Sequence, residues 1–406
     1  MSDLVDWQRG NDRYLSDALA WLRLRLERLR PRDQIQQTVL PTALSTPKEM
    51  RQEDRALFRR FVGLPPLKST SGANPELAVQ ENIDKRLADS SVLMEEAEKR
   101  DPPPALVILS QRFGLSRFER DLLLLCAAPE LDSSIPELLA WTQGDSERNY
   151  PTFALAFAVF DDPAWIVVSP ESQLRYWKML EVDQSGGQPM ISSQLRLDQR
   201  IVDYIKGLNY LDPLLLPLTI PLDITPDQME LTPSQKAVKD KIASYLRGLS
   251  GSQSIPTIQL IGADRYSKQL IASQVADSLG LHLYRMPADT LPANAVEMDS
   301  LVRLWERERF LLPICLYIDA PEDGASPGGE AAASLSRFLA RSQGIIFLGT
   351  KEPWPGLVRS NAFEVTKPTP AEQETAWAEA LRDKAGAIPA LLAGQFSLDL
   401  AKIKQI

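Results

Sequence analysis

The residues whose types and spacing most clearly indicate a binding site lie in the segment 262–269, with the sequence GADRYSKQ. The segment follows a short apolar run, 258–261, and precedes an amphipathic stretch, 270–279, so it joins a predicted strand to a predicted helix. A phosphate-binding loop with the pattern G-x-x-x-x-G-K-[ST] occupies the same setting. Its glycines let backbone N–H groups wrap the phosphates, its lysine reaches the outer phosphates, and its hydroxyl holds Mg²⁺.

Only part of that pattern is kept. Gly262 and Lys268 stand in register with the first glycine and the lysine, whereas Ser267 replaces the second glycine and Gln269 replaces the hydroxyl residue. Asp264 also places a negative charge inside the loop, which opposes the binding of phosphate. The segment therefore predicts a vestigial nucleotide site, whose candidate ligands are ATP or ADP with Mg²⁺.

Two downstream apolar runs supply the remaining parts of such a site. The first run ends in Asp319, the position of the Mg²⁺-binding aspartate, and the second ends in Thr350, where a polar sensor would stand. The position of the water-orienting acid is Ala320, and Glu322 is not expected to replace that acid. Positioned acid–base groups contribute about 10² to 10⁴ in rate, so hydrolysis is not expected and no catalytic or metal-binding residue is assigned. An alternative stays open, in which Lys268 is an ordinary surface lysine and Asp319 caps a loop.

Composition limits the class of protein. The chain has 406 residues, a net charge of −9 and a pI near 5.0, which argue against nucleic acid or an anionic membrane as the main partner. Cys126 and Cys315 lie inside apolar runs and are predicted to be buried thiols in a reducing compartment. A single histidine, His282, excludes histidine-rich metal chemistry. With neither a signal-peptide pattern nor a membrane-spanning apolar stretch, the chain is predicted to be soluble and cytoplasmic.

The first half of the chain is predicted to be mainly helical. Asn11 is expected to cap the first helix, Ser116 and Glu119 to form a capping box, and Pro129 to end the helix that follows the box. The β-branched and aromatic run 165–168 is predicted to be a strand. Several short helices and a small hairpin predict a winged-helix domain. Apolar spacing places helices at 11–30, 54–62, 105–113, 121–128, 135–141 and 195–207.

The second half alternates strands with helices, which predicts a parallel sheet that is covered on both faces. Thr232 or Ser234 is expected to cap a helix that reaches residue 249. Strands are predicted at 257–261, 281–285, 314–318 and 345–349, and helices at 267–279, 297–310, 330–341, 370–382 and 387–405. The predicted domains are an N-terminal helical region (1–62), a winged-helix-like domain (75–212), a proline-rich linker (213–231), a degenerate P-loop module (232–368) and a partial helical lid (369–406).

The segment 113–132, FGLSRFERDLLLLCAAPELD, resembles a block found in AAA+ ATPases that carry a winged-helix domain ahead of two ATPase modules. Some of these ATPases are encoded with phage-tail-like contractile injection systems. The segment 195–201 with 211–212 is similar to the part that closes their winged-helix region, and 394–403 looks like the start of an AAA+ lid helix without its sensor arginine. The resemblance covers nearly the whole chain but only the first ATPase module. In these proteins the first module is often degenerate, and a second module hydrolyses ATP.

The resemblance implies a winged-helix region followed by an α/β P-loop module of the AAA+ type and the start of a helical lid. It implies protein partners, an active AAA+ ATPase subunit or module above all, and assembly into a ring. The chain is expected to be either a fragment of a longer ATPase or a subunit whose active half is a separate chain. Two alternatives stay open: an ATP-binding ATPase with weak hydrolysis and protein-remodelling activity, and a winged-helix protein that binds DNA. The second alternative requires a basic recognition helix, but the helix at 116–128 is apolar.

Overall fold

The computed structural model describes residues 2–29, 75–184, 187–222, 230–249, 255–321, 329–357, 359–381, 388–396, 398 and 400–404. The chain forms two compact units, Met1–Asn209 and Tyr210–Ile406. The predicted helix at 54–62 and Glu322 lie outside the described residues, as does part of the predicted linker at 213–231. Within the described residues, no helix is both long enough and apolar enough to cross a membrane.

The first unit is helical with one small sheet, as the sequence predicts. Strands β1 (Leu180–Asp183) and β2 (Gln194–Leu197) form an antiparallel pair. The helices are α1 (Ser2–Glu27), α2 (Pro75–Glu98), α3 (Ala105–Phe113), α4 (Arg117–Leu131), α5 (Ile135–Gln143), α6 (Phe153–Val159), α7 (Gln173–Tyr176) and α8 (Gln199–Ile205).

The hairpin does not lie where the sequence places it. Trp165–Val168 forms a 3₁₀ turn and not a strand. Trp165 and Ile166 are exposed while Val167 and Val168 are buried, so burial follows adjacent pairs and lacks the alternation of a pleated strand. The predicted helix at 195–207 is also wrong in its first part, because residues up to Leu197 belong to β2 and the helix begins only at Gln199, after Asp198 caps it.

Two predicted helix boundaries in the first unit are wrong as well. Helix α1 begins at Ser2, and Asn11 lies buried inside it. The Asn11 amide donates to the Ile205 carbonyl at 3.0 Å and accepts from the Ala105 N–H at 2.8 Å, so its polar group links α1 to α8 and α3. Pro129 lies in the last turn of α4, where its missing N–H costs only one hydrogen bond, and the helix continues to Leu131.

The capping box that opens α4 is confirmed. The Ser116 hydroxyl accepts from the Glu119 N–H at 3.2 Å, and the Glu119 carboxylate accepts from the Ser116 N–H at 2.9 Å. The apolar residues 122–128 that follow are all buried. Helix α4 therefore belongs to the core of the first unit.

The second unit is built on a six-stranded sheet. Strand order is β3-β5-β6-β7-β4-β8, and the strands are parallel except for β3, which pairs antiparallel with β5. The strands are β3 (Ile220–Pro221), β4 (Thr257–Ile261), β5 (His282–Pro287), β6 (Ile314–Asp319), β7 (Ile346–Thr350) and β8 (Ser360–Glu364). The helices are α9 (Pro233–Arg247), α10 (Arg265–Ser278), α11 (Ala295–Leu311), α12 (Glu330–Arg341), α13 (Pro370–Leu381), α14 (Ile388–Gln395) and α15 (Leu400–Lys404).

Two apolar cores cover the faces of this sheet. One core joins Leu316 and Leu348 to residues of α11 and α12, and the other joins Leu260 and Phe347 to residues of α10. A smaller core around Trp377 holds α13, α14 and α15 together. The predicted fold class, a helical winged-helix region followed by an α/β parallel-sheet module with the start of a helical lid, is confirmed.

The cap of α9 and two short strands of the second unit add to what the sequence predicts. Thr232, and not Ser234, caps α9, in a capping box with Gln235, while the Ser234 hydroxyl donates to Glu372 at 2.9 Å. The sequence did not predict β3 or β8, because β3 has two residues and includes Pro221, and β8 begins with the polar pair 360–361.

Candidate functional site

Gly262 is the first residue after β4, and its backbone explains why it is glycine. Its φ is +153°, and a Cβ at this position would lie 2.1 Å from the Val365 carbonyl oxygen. Its N–H donates to the Thr350 carbonyl at 3.0 Å. Gly262 thus permits a close backbone approach within the sheet, which is a structural need that does not depend on phosphate.

Most of the segment predicted to be a phosphate loop is helical, and the expected helix start at residue 267 is wrong. Helix α10 begins at Arg265, so only Ala263 and Asp264 separate Gly262 from the helix. Asp264 caps the helix by accepting from the Tyr266 N–H at 3.2 Å. A free helix N-terminus attracts anions because its N–H groups are unsatisfied. Here the protein's own carboxylate takes that position.

Ser267 stands where the second glycine would be, and it is only 3% exposed. Its hydroxyl donates to the second carboxylate oxygen of Asp264 at 2.5 Å and accepts from the Gln235 amide at 2.8 Å. Gln235 comes from α9 and also donates to the Thr366 carbonyl at 3.3 Å. Ser267 therefore fastens the first turn of α10 to its surroundings.

Lys268 lies in the second turn of α10 and is 5% exposed. Its Nζ donates to the Gly262 carbonyl at 2.7 Å and to the Thr350 carbonyl at 2.8 Å. Burial lowers the pKa of Lys268, while the charges of Asp319 and Asp264 oppose that shift. The ammonium group of Lys268 is thus held by hydrogen bonds to two backbone carbonyls. Gln269, the next residue, is half-buried.

Asp319 ends β6, and two arginines bind it. Arg265 donates from Nε and Nη2 to the two carboxylate oxygens at 3.0 and 2.6 Å, and Arg285 on β5 donates from Nε at 2.5 Å. The Asp319 side chain is 15% exposed. A Mg²⁺ ion would have to displace both guanidinium groups from this carboxylate. Sequence reasoning missed Arg285, whose signal was a charged residue in the strand predicted at 281–285, next to Met286, which is buried.

Thr350 ends β7, the strand between β4 and β6. It reaches the site through its backbone, because its carbonyl accepts from Gly262 and Lys268. Among the described residues, its buried hydroxyl has no hydrogen-bond partner. The buried hydroxyl of Tyr317 also has no hydrogen-bond partner among the residues that the structure describes. Gly349 leaves room for this hydroxyl, since a Cβ on residue 349 would lie 2.1 Å from the Tyr317 oxygen.

The structure brings the predicted site residues together at the carboxyl ends of β4, β6 and β7. The residues are Gly262, Ser267, Lys268, Gln269, Asp319 and Thr350. Their contacts do not suit ATP or ADP with Mg²⁺, because a helical turn occupies the predicted phosphate segment and two arginines bind the carboxylate at the predicted Mg²⁺ position. Within the described part of the chain, no group of three or more histidine, cysteine or acidic side chains is arranged to hold a metal ion.

These features define a mainly helical unit with a small antiparallel hairpin, followed by an α/β unit in which the residues of the predicted nucleotide site bind one another. The family model described as "Winged helix domain, variant" matches residues 10–219, more than half of the chain. The chain therefore belongs to the family of proteins that carry this winged helix domain.

Comparison with curated proteins found no match. Two solved structures are similar in shape. A structure from work on katanin self-assembly is 12% identical and has a TM-score of 0.34, and the match covers 49% of this chain and 75% of that one. The AAA domain of FIGL-1 in complex with ADP is 16% identical and has the same TM-score of 0.34, with 49% of this chain and 78% of that one covered.

Proposed function

We propose that the chain is a non-catalytic protein of the AAA+ type, whose winged-helix region binds protein partners. In this proposal the second unit acts as a scaffold or regulatory surface that assembles with an active AAA+ ATPase subunit or module. One observation carries the proposal: Arg265 lies in the first turn of α10 and binds Asp319. A residue of the predicted phosphate segment is thus paired with the residue at the predicted Mg²⁺ position.

Each group that would bind the nucleotide is already bound to another group of the protein. Asp264 takes the helix N-terminus where a phosphate would bind, and its negative charge would repel a phosphate. Lys268 is already held by two carbonyls. Asp319 is held by two guanidinium groups. To admit nucleotide, the protein would have to unwind the first turn of α10 and break these ion pairs.

The assembly part of the proposal rests on the segment 113–132, whose sequence resembles winged-helix AAA+ ATPases. In this reading, the chain supplies a first, inactive module to a ring whose other module hydrolyses ATP. We propose that this ring works with a contractile injection system, because some of the ATPases that this segment resembles are encoded with such systems. The cytoplasm is the proposed compartment, because Cys126 and Cys315 are buried free thiols, and burial raises the pKa of Cys315 to about 12.

DNA binding through the winged helix is the less supported alternative. Helix α4, the best candidate for a recognition helix, is buried along residues 118–119 and 121–128 and so offers no extended face for a groove. The net charge of −9 adds long-range repulsion from phosphate backbones. A gel shift that weakens steeply with salt would revive this alternative.

The proposal is tested with the full chain. Titration with a fluorescent ADP analogue, with and without Mg²⁺, is expected to give no saturable binding, and an assay of phosphate release from ATP no turnover. The Lys268→Ala variant is compared with Lys351→Ala, which changes an exposed lysine just beyond β7. Turnover that disappears only in Lys268→Ala, while circular dichroism shows both variants folded, would contradict the non-catalytic assignment and favour the weak ATPase.

Assembly is tested separately. The full chain is mixed with a purified AAA+ ATPase that has an intact P-loop and comes from the same organism, and the mixture is measured by size-exclusion chromatography with light scattering. We expect a joint complex whose formation does not require nucleotide on this chain, and an ATPase rate that changes when the complex forms. Separate elution at all protein ratios would overturn the scaffold role and leave the closed nucleotide site unaffected.

A further inference from the structure

A cavity of about 510 Å³ lies in the first unit, between helices α1, α2, α3 and α4. Its volume falls within the roughly 300–1,000 Å³ that small-molecule and side-chain pockets commonly occupy. The apolar part of its lining includes Trp21, Met94 and Val107. The same cavity is lined by part of the segment 113–132, which the proposed function leaves without a chemical role.

Asp121 is the unusual group in this lining. It lies on α4, is 8% exposed, and has no side-chain hydrogen bond to any residue that the structure describes. Glu98, on the opposite wall, is satisfied instead, because it accepts from Arg120 at 3.0 Å and from the Tyr14 hydroxyl at 3.3 Å. A carboxylate on a largely buried residue that accepts no hydrogen bond is costly in free energy, even with arginines nearby. An external partner would remove that cost.

The charges of the lining indicate the sign of such a partner. Its carboxylates belong to Glu95, Glu98 and Asp121, and its guanidinium groups to Arg117 and Arg120. Since Glu98 and Arg120 pair with each other, the lining keeps one negative charge in excess. One cationic group would balance it.

Electrostatics at Asp121 favour the same conclusion. Burial raises the pKa of Asp121 to about 6, although Arg120, Arg117 and Arg25 pull it downward. Glu98 acts in the same direction as burial. Arg25, on α1, is itself engaged with Asp161 at 2.6 Å. The surrounding arginines therefore do not stabilise the Asp121 charge enough to offset its burial.

We propose that this cavity binds a primary amine or guanidinium group on an apolar stem, with Asp121 as the counter-ion. The stem would pack on Trp21 and Met94, as the long aliphatic parts of lysine and arginine do on apolar surfaces. Two sources carry this chemistry: a free small amine, and a lysine or arginine side chain of a protein partner. The second source rests on the proposed partner-binding role of the winged-helix region, and the first does not.

The test uses the full chain and three probes in isothermal titration: n-butylamine, n-butanol as its uncharged match, and a short acetylated peptide with one lysine between alanines. The Asp121→Asn variant removes the counter-ion and keeps the shape of the side chain. Asp89→Asn, an exposed position on α2, is the matched control. Measurements at pH 5 and pH 8 compare Asp121 mainly protonated with Asp121 ionised.

Butylamine is expected to bind to the wild type at pH 8 at millimolar concentration, and butanol more weakly. Loss of the charged partner should weaken the binding of butylamine about tenfold or more in Asp121→Asn, and leave it unchanged in Asp89→Asn. Binding by the wild type should also weaken at pH 5. Equal affinity in Asp121→Asn and wild type, or no amine binding at all, would overturn the proposal.

The peptide separates the two sources. Tighter binding of the peptide than of butylamine, with the same dependence on Asp121, assigns the cavity to a partner's side chain. Binding of butylamine without binding of the peptide assigns the cavity to a free amine. The second result keeps the cavity proposal and removes its link to partner binding, so the two inferences fail separately.

Discussion

Arg265 binds Asp319 through two parallel hydrogen bonds, from Nε at 3.0 Å and from Nη2 at 2.6 Å. The two residues come from different elements, α10 and β6. In a working P-loop site these positions would face the phosphates and the Mg²⁺ ion. Here they satisfy each other, and Arg285 adds a second positive charge to the same carboxylate. The two residues at these predicted ligand positions are thus bound to internal partners.

The two arginines should contribute unequally to stability. The Arg265 side chain is 53% exposed and that of Arg285 is 22% exposed. We expect Arg265→Ala to lower the free energy of unfolding by less than about 1 kcal/mol, as for exposed ion pairs. Arg285→Ala should cost about 2 kcal/mol, because the Arg285–Asp319 pair is the less solvated of the two and its hydrogen bond to a charged group is therefore worth more. Urea denaturation at low and high salt measures both, and equal costs for the two variants would contradict this ranking.

Lys268 should behave as a structural residue. Lys268→Ala removes both hydrogen bonds of a charged donor and leaves buried carbonyls without it, so we expect a loss of about 2–4 kcal/mol in the free energy of unfolding. Lys351→Ala, at an exposed position, should change it by less than about 0.5 kcal/mol. Denaturant titration of the two variants gives the comparison. A Lys268→Ala protein as stable as Lys351→Ala would show that the lysine is not needed for the fold.

Gly262 should be intolerant of any side chain. Gly262→Ala places a Cβ against the Val365 carbonyl in a backbone conformation with positive φ, and we expect a loss of more than about 3 kcal/mol. Gly356 also has a positive φ, +76°, but a Cβ there meets nothing within 4 Å. Gly356→Ala should therefore cost only about 1 kcal/mol of backbone strain. The melting temperatures of the two variants test this, and similar shifts would exclude the contact with Val365 as the cause.

The elements of the second unit could be predicted because they are buried and strongly periodic. The strand at 257–261 and the helix at 330–341 have the predicted bounds. The hairpin of the first unit could not be located, because 165–168 has a stronger β composition than the polar strands that form the pair. Short strands of this kind are defined by the partner across the turn, which spacing alone does not reveal.

The site residues were predicted as a group, but their bonds were not. Motif register predicts Lys268 near the start of a helix and Asp319 at the end of a strand, and the structure has them in the second turn of α10 and at the end of β6. Motif register does not show which side chain will cap a helix. Asp264 is the cap, so α10 starts inside the motif. The aspartate followed by a serine three positions later was an available signal for such a start. Pairing between Arg265 and Asp319 depends on distances across the sheet that no local pattern encodes.

Asp121 gives the protein a pH dependence with a definite sign. Its pKa is raised from 3.8 to about 6 in the folded state, so the folded protein binds this proton more readily than the unfolded chain. The destabilisation from Asp121 is therefore absent below about pH 4, grows as pH rises, and is complete above about pH 6. At about 1.4 kcal/mol for each unit of pKa, its upper limit is about 3 kcal/mol. Asp121→Asn should remove it, which makes the variant more stable than the wild type at pH 8 and equal to it near pH 4.

Denaturant titrations at pH 4, 5, 6 and 8, followed by tryptophan fluorescence, measure this difference. Asp89→Asn is the control, because its carboxylate is exposed and its replacement should give a difference that does not vary with pH. Addition of n-butylamine at pH 8 should narrow the gap between Asp121→Asn and wild type, since the amine stabilises only the protein that keeps the carboxylate. If Asp121→Asn is less stable than the wild type at pH 8, the carboxylate has a favourable internal partner, and neither the buried charge nor the cation pocket can be right.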